Sequence, residues 1–291
     1  MNPRSNNNKP NGEITHHVAV VTGSSSGIGF EIALMLARNG FQTYATMRNL
    51  AKSENIKSIA SKENLPIYIE QLDVTDNKSV TNAIQAIVSK ANGIDVLVNN
   101  AGYALTGAFE DLAIEEIKAQ YETNLFGLIR TTQTVLPIMR KQKSGAIVNI
   151  SSGAGRFGYP GGSAYVSTKF AVEGLSESMA YELEPFGIKV ILIEPGVIKT
   201  NIANGMVIAE KSQNPNSPYS QIMRKMSISF EHMLENASSS PDVVAKVVLQ
   251  AVTSKNPRLR YLAGKDVEMW IDAKRNMSDD QFYKMIKQSF I

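Results

Sequence analysis

Seven short apolar runs alternate with stretches of helical periodicity along this chain, and that alternation leaves few folds open to it. The runs are Val18 to Thr22, Thr43 to Met47, Ile67 to Leu72, Val96 to Asn99, Ala146 to Ile150, Lys189 to Ile193 and, more weakly, Arg260 to Ala263. Each is short enough for a strand and apolar on both faces. Between them the period changes to that of a helix. Ile28, Ile32 and Leu36 repeat at i, i+4 and i+8, and Asn39-Gly40 predicts a stop. Asp76 predicts an N-cap for a helix carrying Val80, Ile84, Ile87 and Val88 that ends at Asn92-Gly93. Strands apolar on both sides need helices over both sides, which requires a parallel sheet inside two helical layers.

The expected fold is therefore α/β: a single-domain, doubly wound (Rossmann-type) parallel sheet of about seven strands, with ligands at the carboxyl ends of the strands. Residues 1–15 read as a flexible tail and 16–291 as one domain, since no linker separates two units. One segment, 201–240, interrupts the pattern after the sixth strand. It holds a turn-rich stretch from Lys211 to Pro218 and then a helical pattern with Ile222, Met223, Met226, Phe230 and Met233, and it reads as a substrate lid.

Composition narrows the function classes. The formal charge is +3, from 30 Lys plus Arg against 27 Asp plus Glu, which is no signature of nucleic-acid or membrane binding. The absence of Cys removes disulfides, thiolate metal sites and a cysteine nucleophile together. No apolar stretch reaches about 18 residues, and the first fifteen residues have no signal-peptide core. These features point to a cytoplasmic protein acting on small molecules, with no membrane span and no nucleic-acid partner. His16, His17 and His232 stand at no metal-ligand spacing, so no metal is expected.

The turn Thr22 to Gly29 lies between strand one and helix one. Gly23, Gly27 and Gly29 would let the main chain approach a pyrophosphate, while Ser25, Ser26 and Ile28 begin a helix whose free N–H groups favour anions. The spacing G-x-x-x-G-x-G departs from the common G-x-G-x-x-G, so it is the position of the turn that makes it informative. Strand two ends in Arg48, with no carboxylate at that edge. A 2′-phosphate needs a cation there and a free ribose an acid, so NADP(H) is expected over NAD(H). Asp73-Val74 after strand three could meet the adenine, or could serve only the local helix start. Asn99, Asn100, Ala101 and Gly102 end strand four, where small residues would admit the cofactor ribose and amides would tie strands together.

Tyr165 and Lys169 stand four apart on a helical segment and share one face. Ser152 lies thirteen residues before Tyr165, at the end of strand five. With the nucleotide turn upstream, this constellation resembles the short-chain dehydrogenase/reductase family from about Val18 to Lys199, and more loosely to Asp266. The resemblance also rests on Asn124 and on Pro195-Gly196 with Thr200. It implies a catalytic tetrad of Asn124, Ser152, Tyr165 and Lys169, with Ser151 the rival for the serine role. It further implies a loop of Pro195, Gly196, Val197 and Thr200 against the nicotinamide, and a homodimer or homotetramer paired through the helices around Glu115 to Arg140 and Ser163 to Phe186.

The expected reaction is hydride exchange between NADP(H) and a carbonyl or alcohol, with Tyr165 as general acid/base. A Lys169 ammonium about 5 Å from the phenol oxygen would favour phenolate by roughly 3 kcal/mol, or some two pKa units. Ser152 would hold the substrate oxygen, and the resemblance gives Asn124 a water in a proton relay. The strings Thr43 to Arg48 and Arg260 to Lys265 resemble members acting on steroid or retinoid alcohols. The Met-rich lid suits an apolar substrate, or simply packs on the core. A non-catalytic NADP(H)-binding regulator would be expected to lack Tyr165 or Lys169. An epimerase or dehydratase using the same pair commonly has a longer C-terminal region.

Overall fold

The computed structural model describes residues 17–199, 206–236 and 238–291. The first half contains β1 (Val18–Val21), α1 (Gly27–Arg38), β2 (Gln42–Met47), α2 (Glu54–Glu63), β3 (Ile67–Gln71), α3 (Asn77–Ala91), β4 (Val96–Asn99) and β5 (Ala104–Thr106). There follow α4 (Ile114–Tyr121), α5 (Gly127–Gln142), β6 (Gly145–Ile150), α6 (Ser163–Leu183) and β7 (Ile188–Pro195). The last part contains β8 (Met206–Ile208), α7 (Ser220–Asn236), α8 (Pro241–Thr253), β9 (Arg260–Ala263), α9 (Lys265–Asn276) and α10 (Asp279–Phe290).

Seven strands form one sheet in the order β3-β2-β1-β4-β6-β7-β9, every pair parallel. The two-residue alternation of each strand explains the two helical layers. On β1, Ala19 and Val21 face α1, α2 and α8, whereas Val18 and Val20 face α3 and α5. Val96 and Val98 against Leu97, and Ala146 and Val148 against Ile147, divide the same way. The predicted stops hold. Asp76 accepts from the N–H groups of Lys78 (2.7 Å) and Ser79 (3.2 Å), and Asn92 ends α3 in the left-handed region at φ 58°.

Chain order reverses between β1 and β4, and there the carboxyl ends diverge into a crevice. Just below it, Asn99 and Asn149 form a buried polar bridge. Asn99 Nδ2 donates to Asn149 Oδ1 and to Thr132 Oγ1, both at 2.9 Å; its Oδ1 accepts from Thr131 (2.6 Å), and Asn149 Nδ2 donates to Ser176 Oγ (2.8 Å). Two strands and two helices are thus locked at the level where the crevice opens.

Two features were not expected from periodicity. β5 and β8 form a separate two-stranded parallel sheet, each strand too short to show a period. Beyond β9, α9 and α10 pack with α7 in a satellite core of Phe157, Met226, Val267, Ile271, Phe282 and Phe290.

Replacing Asn99 with Ala leaves the Asn149 and Thr131 groups short of partners inside the sheet. The expected loss is about 2–4 kcal/mol of unfolding free energy, read as a lower urea midpoint at unchanged slope.

Candidate active site

The crevice begins where Thr22 and Asn100 staple β1 to β4. The main-chain N–H groups of Asn100 and Ala101 each donate to Thr22 Oγ1 at 3.0 Å, and Asn100 Nδ2 donates to the carbonyls of Thr22 (2.9 Å) and Gly23 (3.2 Å). The turn held this way needs its glycines. Gly23 and Gly27 have φ of 69° and 62°, and a Cβ on Gly29 would come within 2.5 Å of the Gly23 carbonyl oxygen. Ser26 precedes α1 without capping it through its side chain, so the first-turn N–H groups stay open toward the crevice.

The crevice encloses about 850 Å³. Gly23, Ser25, Ser26, Gly27 and Ile28 line one end; Arg48, Asp73 and Val74 line the side; Asn100, Ala101 and Gly102 form the floor; Ser152, Tyr165, Lys169, Pro195 and Gly196 close the far end. Two of the described residues expected here do not line it. Gly29 packs beneath the turn against Asn100, because the helix must approach the strand loop closely. Val197 faces a neighbouring cavity, and Thr200 lies outside the described residues.

Arg48 is exposed, and among the described residues its guanidinium has no carboxylate partner. Asp73 serves the local turn: its Oδ1 accepts from the N–H (2.9 Å) and hydroxyl (2.7 Å) of Thr75. That leaves its second carboxylate oxygen for any contact across the crevice. An open helix N-terminus and a main chain stripped of Cβ atoms suit the pyrophosphate of a dinucleotide.

Ser152, Tyr165 and Lys169 converge at the inner end. Ser152 Oγ accepts from Ala154 N–H (3.1 Å) and donates to the Pro195 carbonyl (3.5 Å). Lys169 Nζ lies 5.6 Å from the Tyr165 ring centre and donates to the Ile150 carbonyl at 2.8 Å. Burial pushes the lysine down to about 8, and the nearby Glu173 carboxylate works in the opposite direction. Burial also raises the Tyr165 phenol above its usual value, with the Ser152 hydrogen bond opposing. This corrects the expected two-unit lowering by Lys169. The ammonium is directed at a carbonyl under the ring, and loss of water around both groups outweighs their attraction at distance.

Ser151, the rival serine, borders the crevice but is only 2 % exposed, and among the described residues its hydroxyl has no hydrogen-bond partner. Asn124 is buried at a π-turn, Glu122–Phe126, between α4 and α5. Its Oδ1 accepts from Tyr103 N–H (3.0 Å) and its Nδ2 donates to the Tyr103 carbonyl (2.8 Å) and to Thr168 Oγ1 (3.4 Å). Asn124 ties the loop after β4 to the residue preceding Lys169 and does not line the crevice itself.

A second cavity of about 470 Å³ meets the crevice at Ser152, Tyr165, Pro195 and Gly196. Its walls are apolar. Phe157 stacks on Trp270 (5.6 Å) and Tyr159 on Phe290 (5.5 Å), while Met223, Met226, Phe230 and Met233 of α7 face them. The α7 methionines therefore both pack and line the cavity. Ile222, grouped with them in sequence, is exposed, on the outer side of α7, as is Ile228. Tyr159, Trp270 and Phe290 carry no local signal of this role, because only tertiary packing brings them to the cavity.

Asp266 is a further residue that sequence spacing does not reveal. It is 7 % exposed, and its Oδ2 accepts from Val197 N–H at 2.6 Å, fixing the Pro195 loop. Among the described residues, no group of three His, Asp or Glu is placed to hold a metal, and no helix is long and apolar enough to cross a membrane.

Residues 17–211 match the family model for short chain dehydrogenases. The chain is 41 % identical over 260 residues to the uncharacterized oxidoreductase YusZ of Bacillus subtilis, covering 87 % of this chain and 90 % of that protein. It is 36 % identical over 252 residues to a 3-ketodihydrosphingosine reductase of Bacteroides thetaiotaomicron, covering 87 % and 89 %. A solved short-chain dehydrogenase from Streptomyces avermitilis superposes with a TM-score of 0.81 at 31 % identity, covering 94 % and 98 %. Other similar structures were solved with NADP or 5-hydroxy-NADP.

Because Lys169 titrates near 8 when folded and near 10.5 when unfolded, the unfolded chain holds the extra proton between those values. Folding stability relative to Lys169→Met should therefore rise with pH, by about 2 kcal/mol between about pH 7.5 and about pH 9.5. Paired urea titrations of the apoproteins measure this, and a flat or falling difference contradicts it.

Proposed function

Since the chain belongs to the short-chain dehydrogenase/reductase family and hence to the NAD(P)-dependent oxidoreductases, we propose that it exchanges hydride between NADP(H) and the carbonyl or alcohol group of an apolar molecule. One observation carries the reading. Ser152 and Tyr165 sit where a crevice suited to a dinucleotide and an apolar cavity share a wall, so a carbonyl entering from one side meets a hydroxyl pair beside the other.

Bound dihydronicotinamide supplies the hydride; the chain's own side chains handle position and protons. In this reading Ser152 holds the substrate oxygen and stabilises its developing charge. Tyr165 donates the proton, and its raised pKa keeps it in the acid form needed for reduction at neutral pH. Lys169 lies beneath the phenol and stabilises the phenolate left behind. Asn124 keeps the helix bearing Lys169 in register with the cofactor loop and, in the family's manner, would serve the proton relay. Asp266 holds the main chain of Val197, so that the Pro195 loop is set before a ligand arrives.

Arg48 supports NADP(H) over NAD(H), because an unpaired guanidinium at the end of β2 gains most from a phosphate dianion. The segment 201–240 serves as the lid, since α7 supplies the methionine wall. A substrate of the kind named for the Bacteroides relative, an apolar chain with a ketone near one end, fits the cavity's composition. Exposed Phe109, Ile114 and Phe126 near α4 and α5, with Phe170 and Tyr181 on α6, support pairing of copies through these helices as a homodimer or homotetramer.

Tyr165→Phe should reduce NADPH-dependent ketone reduction to below about 1 % of wild type, while calorimetry shows NADPH affinity changed by less than about threefold. Substantial residual turnover contradicts the acid role. Arg48→Ala should weaken NADPH binding by about 10- to 100-fold and leave NADH binding nearly unchanged. Tighter binding of NADH than NADPH by the unaltered protein would overturn the cofactor assignment.

A further inference from the structure

Behind the active-site lysine lies a group of charges, with Glu173 and Glu194 buried and Arg156, Arg260 and Glu177 reaching solvent, that the reaction outlined above does not use. Glu173 stands one helical turn after Lys169 on α6 and is 6 % exposed. Its Oε2 accepts from Arg260 Nε of β9 at 2.8 Å. The same guanidinium reaches Glu177 Oε1 (2.6 Å) on α6 and Glu194 Oε1 (3.2 Å) on β7. Glu194 is fully buried and also pairs with Arg156 (3.0 Å), from the turn after β6. Three cations, Lys169, Arg156 and Arg260, thus face three carboxylates, Glu173, Glu177 and Glu194.

The second oxygen of Glu173 is the anomaly. Among the described residues, Oε1 is buried without a hydrogen-bond partner, and so is the Ser151 hydroxyl. Both side chains press against Gly155, where there is no room for a side chain: a Cβ built there would lie 2.8 Å from Ser151 Oγ, 2.9 Å from Glu173 Cγ and 3.2 Å from the Lys169 carbonyl. A carboxylate that served only as a strut for Arg260 would be as well placed at the surface. Buried with one oxygen unspent, it carries a desolvation cost that only a nearby positive charge offsets.

We propose that Glu173 is a positioning residue for Lys169, its Arg260-anchored carboxylate providing the counter-charge that keeps the lysine an ammonium under the Tyr165 phenol. The inference rests on the reading of Tyr165 and Lys169 as the proton-transferring pair. Burial alone drives Lys169 toward the neutral amine, and Glu173 is the charge opposing it. Glu194 is held above the usual carboxylate range, mainly by burial and then by Glu173.

The test titrates Lys169 directly in apoprotein labelled with [6-13C]lysine, its resonance identified by its loss in Lys169→Met. Glu173→Gln should move the midpoint from about 8 downward by about one pH unit, whereas Glu173→Asp, which keeps the charge, should move it by less than half as much. The basic limb of the kcat/KM profile for ketone reduction should shift in the same direction. A midpoint unchanged in Gln, or moved equally in Asp and Gln, overturns the proposal. Should the Gln variant not fold, Glu173→Leu removes the same charge with an apolar side chain of similar size that needs no buried partner; a downward shift is again expected, and its absence overturns the proposal. The NMR readout needs no turnover, so a protein that reduces no ketone would refute the proposed function while this measurement still decides the role of Glu173.

Discussion

The junction of Thr22 with Asn100 is the constraint from which the site is built. One threonine hydroxyl receives two main-chain N–H groups, and one amide returns two bonds to the preceding turn, so the ends of the two central strands move as a unit. Gly29 can pass under Asn100 only because it has no side chain, and α1 then starts at the height that leaves its N–H groups facing the crevice. The Asn99–Asn149 bridge repeats the device one level deeper and carries it to β6, whose end delivers Ser152. Positions that look like ligand contacts in a linear motif are therefore in part the means of holding two strands at one height.

Burial, more than charge pairing, sets the protonation behaviour of the reactive groups. At the surface, a tyrosine and a lysine one turn apart would titrate near their ordinary values. Enclosed by β6, α6 and the Pro195 loop, both shift toward their neutral forms. A phenol that holds its proton and a lysine that readily gives one up suit proton delivery to an oxygen, and the ion cluster beneath limits how far the lysine shifts.

The central strands were legible because burial on both faces leaves no polar alternation to confuse, as in Val96 to Asn99 of β4; Arg260 to Ala263 coincides with β9 although its burial alternates. Asp76 and Asn92 were legible because caps are local chemistry. The crevice residues could be read from spacing, since the turn, Ser152 and Tyr165 all follow directly from strand ends. What escaped was whatever depends on non-local packing. Asp266 reaches Val197 across 69 residues, and Tyr159 meets Phe290 across more. The sign of the Tyr165 shift escaped for a related reason: pairwise attraction can be guessed from an i, i+4 spacing, but loss of solvent cannot.

The small β5–β8 sheet separates the two compartments with a single ribbon. Alternation along β8 sends Val207 to the dinucleotide crevice and Met206 and Ile208 to the apolar cavity, and all three are held in register by Ala104 to Thr106. A partition one strand thick has no independent faces. Any substitution at position 207 intended to retune one compartment displaces the lining of the other, so engineering here trades nucleotide affinity against acceptor selectivity rather than adjusting either alone.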